Sequence, residues 1–99
     1  MLKITPTIEK KKALIALEGR LDTLTARDFD KTLMPILESV DEVVIDCKEL
    51  EYISSAGLRV ILAALNAKPN NDWFKLINVG ERVMEILDMT GFTDDLVIE

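Results

Sequence analysis

Residues 43–65 fix most of what this chain can become. Val43-Val44-Ile45-Asp46-Cys47 is a short apolar run rich in β-branched residues, the pattern of a strand covered on both faces. Soon after it, Leu58, Ile61, Leu62 and Leu65 fall at i, i+3, i+4 and i+7, which makes one apolar stripe on a helix. A buried strand running straight into an amphipathic helix is the core of a β-α-β crossover, so the chain is committed to an α/β architecture.

The flanking segments repeat that alternation. Residues 2–8 alternate apolar and polar as a half-exposed strand does, and Pro6 points to a sheet edge. Glu9-Lys10-Lys11-Lys12 reads as a charged hairpin tip, with a solvated turn preferred over a docking patch, and residues 13–19 read as the second strand. Thr25 and Asp28 have capping-box spacing ahead of a helical stripe of Ala26, Phe29, Leu33, Ile36, Leu37 and Val40. Pro35 lies inside that stripe and predicts a kink or break near Met34. The second helix is expected over 55–67, a turn over 68–72 and a strand over 73–79. Asn78 or a neighbour is the expected cap of a last helix, with Glu81 as its partner acid and Val83, Ile86, Leu87 and Thr90 as its buried stripe. Gly91 suits a left-handed C-cap with Phe92 folding back on it, and residues 96–98 form a short final strand. The expectation is a single α/β domain over 1–99. Its sheet is mixed and mostly parallel, with four to five strands, an opening β-hairpin and three or four helices.

Composition narrows the function. The 99 residues carry 12 Lys+Arg against 18 Asp+Glu, a formal charge of −6. That balance argues against a sequence-independent grip on nucleic acid or anionic membrane. No apolar run approaches the ~20 residues of a membrane span and no signal peptide opens the chain, so a complete, soluble, cytoplasmic protein is expected. The single Cys47 sits in the apolar strand and reads as a buried, inert thiol. There is no histidine, no glycine-rich phosphate loop and no metal-ligand spacing. The acidic pairs Glu49/Glu51 and Asp94/Asp95 read as solvated surface. Neither catalysis nor a cofactor is expected.

The remaining chemistry lies in Tyr52-Ile53-Ser54-Ser55-Ala56-Gly57-Leu58-Arg59. Two hydroxyls open a helix, where free backbone N–H groups and the positive dipole end favour negative charge, including a phosphate on the hydroxyl itself. A serine there can be a plain N-cap, worth about 1 kcal/mol. Gly57 weakens a first turn by about 1 kcal/mol relative to Ala and suggests that another chain or a ligand approaches the backbone.

These residues resemble the signature of STAS domains, and most closely that of the stand-alone bacterial anti-sigma factor antagonists. Leu17-Glu18-Gly19-Arg20-Leu21-Asp22 is similar to the family's Gly-x-Leu-Asp element, Pro35 and Ile36 sit where the first helix often carries proline, and residues 78–92 resemble the closing helix. The resemblance implies a partner that is both anti-sigma factor and serine-protein kinase, of the GHKL ATPase type, with a phosphatase as a further candidate partner. It implies phosphorylation at Ser55, with Ser54 as the alternative, and release of the partner on phosphorylation. The implied contact surface comprises Asp22, Thr23, Leu24, Ser54, Ser55, Ala56, Gly57 and Arg59. One departure stands out: where the family has Asp-Ser-Ser/Thr-Gly, Ser54 replaces the aspartate and Ala56 the second hydroxyl. Two other readings stay open. One is an anion- or nucleotide-sensing STAS module; the other is a scaffold subunit in which the serine only caps.

Overall fold

The computed structural model describes residues 1–70, 72–91 and 96–99. The expected Phe92 contact and the Asp94/Asp95 pair lie outside the described residues. Among the described residues eight elements follow in order: β1 (Leu2–Glu9), β2 (Lys12–Leu21), α1 (Thr25–Leu37), β3 (Glu42–Ile53), α2 (Ser55–Leu65), β4 (Phe74–Ile77), α3 (Glu81–Thr90) and β5 (Val97–Ile98).

The five strands lie in sequence order, β1-β2-β3-β4-β5. β1 is antiparallel to β2, and every later pairing is parallel. Right-handed crossovers between strands that advance steadily in one direction put all three helices on one face of the sheet. The core reflects this. Ala13, Ile15 and Leu17 of β2, Val43, Ile45 and Cys47 of β3, and Phe74 and Leu76 of β4 cluster with Phe29 and Leu33 of α1, Leu58 and Ile61 of α2, and Leu87 of α3. The helices cover one face of β3, yet Val43, Val44 and Ile45 are buried in succession, so the expected burial on both faces holds over this stretch. Val44 points away from the helices and is buried between its register partners Leu14 and Lys75.

Several local expectations change for identifiable reasons. β3 runs to Ile53, well past Cys47, and its 12 residues pair with the 10 of β2 because the register shifts between Ala16 and Glu18 and again between Gly19 and Arg20. Bulged strands put Cys47, Leu50 and Ile53 inward at a spacing that no strict alternation would show. Helix α1 is not broken at Pro35, which is exposed, while Leu33 and Leu37 hold the last turn against the core. α2 ends at Leu65, short of Ala67, and β4 covers only Phe74–Ile77. Asn78 does not cap α3. It takes a left-handed φ of 55° and its amide Nδ2 donates to Asp46 Oδ1 at 3.0 Å, while Gly80 holds the cap position without a side-chain bond. Gly91 is the left-handed C-cap, as its position suggested.

Candidate functional site

β2 and β3 end side by side, with Leu21 in register with Ile53. The Ser54 N–H donates to the Leu21 carbonyl at 2.8 Å, which ties the two strand exits together. Each strand then turns into a helix, so α1 and α2 start at the same edge of the sheet.

The start of α1 is built by Asp22 and not by the expected Thr25/Asp28 box. Asp22 Oδ1 accepts the N–H groups of Leu24 at 3.1 Å and Thr25 at 3.0 Å, and the Asp22 carbonyl accepts from Ala26 N–H. Thr25 Oγ1 in turn accepts the Asp22 N–H at 2.8 Å. This is a reciprocal cap with threonine in the role usually played by Glu or Gln. The Thr25 N–H, followed by the Thr25 hydroxyl and the Leu24 N–H, holds the Asp22 carboxyl below its ordinary 3.8 against the opposing cost of desolvation. The cap also fixes the neighbouring turn, on which Thr23 is exposed and Leu24 is 79% exposed.

The start of α2 divides its two serines. Ser54 is the N-cap: its backbone is extended and its Oγ accepts the Gly57 N–H at 3.2 Å. Ser55 is the first helical residue and is exposed, and among the described residues no hydrogen bond engages its hydroxyl. α2 has no acid in its first turn, whereas α1 has Asp28 and α3 has Glu81. Its positive pole is left without a compensating carboxylate of its own.

Gly57 serves a different purpose from the one expected. It is buried, and a Cβ there would lie 2.5 Å from Leu21 Cγ and 3.1 Å from the Leu21 carbonyl oxygen. The close approach is made by the chain's own Leu21. Gly57 therefore lets α2 seat against the β2 exit and leaves Ser54, Ser55 and Ala56 at the rim.

Arg59 is exposed one turn along α2 and borders a shallow groove of about 420 Å³ between α1 and α2. Thr23, Ala26, Arg27 and Asp30 form one wall, and Ala56, Val60 and Ala63 the other. Sequence reasoning found Thr23, Ala56 and Arg59 but missed the remainder of this groove. The signal was a second stripe on α2, Ala56-Val60-Ala63 at i, i+4 and i+7, made of small side chains that a core-seeking reading passes over. The Arg20 guanidinium stacks 4.4 Å from the ring of its register partner Tyr52, on the penultimate residues of β2 and β3.

Among the described residues no cluster of metal-ligating side chains occurs, and no helix is long and apolar enough to cross a membrane. Cys47 is buried, and burial, aided by the charge of Asp46, pushes its thiol up to about 12.

The family model described as "Mlab, STAS domain" matches residues 4–99. The anti-sigma-B factor antagonist of Staphylococcus epidermidis is 30% identical over 78 residues, 77% of this chain and 72% of the relative. The crystal structure of an anti-sigma factor antagonist from Mycobacterium paratuberculosis superimposes with a TM-score of 0.88 at 17% identity, covering 99% of this chain and 85% of that one. The Bacillus cell fate determinant SpoIIAA, solved in its phosphorylated form, gives 0.72 at 13% identity, covering 100% and 91%.

Proposed function

The chain belongs to the STAS domain family, and from that premise we propose that it acts as an anti-sigma factor antagonist switched by phosphorylation of Ser55. In its unmodified form it binds an anti-sigma factor that is also a serine kinase of the GHKL type, through Asp22, Thr23, Leu24, Ser54, Ala56 and Arg59. Phosphorylation of Ser55 releases that partner. The names of its relatives, anti-sigma-B factor antagonists among them, support the partner class. The observation that carries the reading is the unequal standing of the two serines. Ser54 Oγ is committed to Gly57 N–H, while the Ser55 hydroxyl is exposed at the first helical position.

The physical consequence follows from charge. A phosphate adds about −1.5 to −2 charges and three strong acceptors. At the start of α2 the free N–H groups and the dipole receive it, so the fold tolerates it. In a docked complex the same group loses its water, and any carboxylate the partner brings against it adds like-charge repulsion. A few kcal/mol of such penalty weakens binding by orders of magnitude, because each ~1.4 kcal/mol is tenfold. No conformational change of the fold is required.

A second reading is a scaffold subunit that is never phosphorylated. Ala56, standing where the family pattern has a second hydroxyl, favours it. Incubation with the cell's own anti-sigma kinase and ATP, read by intact mass, separates the two. The switch adds one phosphate that Ser55→Ala abolishes and Ser54→Ala does not; an unchanged mass supports the scaffold.

A further inference from the structure

We infer that Arg59 is the intramolecular receiver of a phosphate on Ser55, and that its swing toward that phosphate carries the modification from the helix start into the α1/α2 groove. This role rests on Ser55 as the acceptor and assigns what the rest of the chain does once the phosphate is there. Ser55 and Arg59 stand four residues apart on α2, and both are exposed. At 3.6 residues per turn they lie about 40° apart around the axis and one turn apart along it, the spacing at which helix side chains meet. The anionic member is N-terminal to the cationic one, which is the favourable order.

Ala56, Val60 and Ala63 lie beyond Arg59 around the helix, and Arg59 itself lines the groove, so its position borders both the groove and the helix start. In the groove it finds one carboxylate, Asp30, and one like charge, Arg27. Among the described residues no ion pair secures it there. A phosphate one turn away offers a stronger alternative, because a guanidinium meets phosphate oxygens with two parallel hydrogen bonds. Phosphorylation then acts twice on a docked partner. It places negative charge at Ser55, and it withdraws the Arg59 cation from the groove wall.

The test uses the full chain with phosphoserine installed at position 55 during translation, so that no kinase is involved. Phosphorus NMR follows the second ionisation of the phosphate, ordinarily near pH 6. With Arg59 present the midpoint falls about half a pH unit below that of Arg59→Gln, and Arg59→Lys lies between the two. The Arg59 Nε resonance shifts over the same pH range. Superimposable titrations of the native and Arg59→Gln phosphoproteins would overturn the role of Arg59. They would leave Ser55 untouched as the acceptor, just as a kinase that ignores Ser55 would leave the titration unchanged.

Discussion

A Cβ on Gly57 would stand 2.5 Å from Cγ and 2.9 Å from Cδ2 of Leu21, so these two residues meet at the seam where both helices begin. Leu21 is fully buried and its carbonyl already accepts the Ser54 N–H, so it has little room to retreat. Gly57→Ala therefore overpacks the seam. Even after the gain in helix propensity, it lowers stability by about 1–2 kcal/mol in urea denaturation. In a Leu21→Ala background the same substitution costs much less, because the clashing branch is gone, and a double-mutant cycle reads that coupling.

The two serines differ in what they hold. Ser54→Ala removes the α2 cap and costs about 1 kcal/mol. Ser55→Ala removes an exposed hydroxyl and stays within about 0.5 kcal/mol of the native protein. Chemical denaturation of both variants under one condition measures the contrast.

Asp22 gives the molecule an acid-sensitive cap. Its carboxyl titrates below the ordinary 3.8 in the folded state because the Thr25 N–H and hydroxyl and the Leu24 N–H bond the ionised form. A depressed folded value means that the stabilisation is fully present above the unfolded value and is lost as pH falls through the folded one. Urea midpoints measured from pH 7 down to below pH 3 should fall less steeply at the acid end in Asp22→Asn than in the native chain.

Cys47 is sealed. With its thiol pushed up to about 12 and its side chain in the core, it stays unreactive toward a disulfide reagent at pH 8 until the protein unfolds. Labelling kinetics with and without denaturant show whether it does. Fast labelling of the native form would mean that β3 opens.

Much of this was legible in the sequence. The order of strands and helices, the edge position marked by Pro6, the left-handed Gly91 and the buried thiol follow from periodicity and residue type. The length of β3 was not, because two register shifts put Cys47, Leu50 and Ile53 inward in a pattern that mimics neither strand nor helix. The α1 cap was hidden for a similar reason. Asp22 lies one turn ahead of the apolar stripe, and its reciprocal partner is a threonine. Gly57 in a first turn points outward to another chain or a ligand when read from sequence, and only the tertiary structure shows that the neighbour is the chain's own Leu21. Asn78 carries a residue type suited both to capping and to left-handed turns, and the carboxylate of Asp46 decides between them.

With Ser55 turned outward to a second protein, a phosphate there is expected to end association while the fold stands. Calorimetric titration of the anti-sigma partner with the unmodified and the Ser55-phosphorylated chain tests it most directly, with a thermal melt of each. The phosphoprotein is expected to bind at least about a hundredfold more weakly, with no drop in its melting temperature. Equal affinities, or a phosphoprotein that fails to bind because it has unfolded, would contradict it.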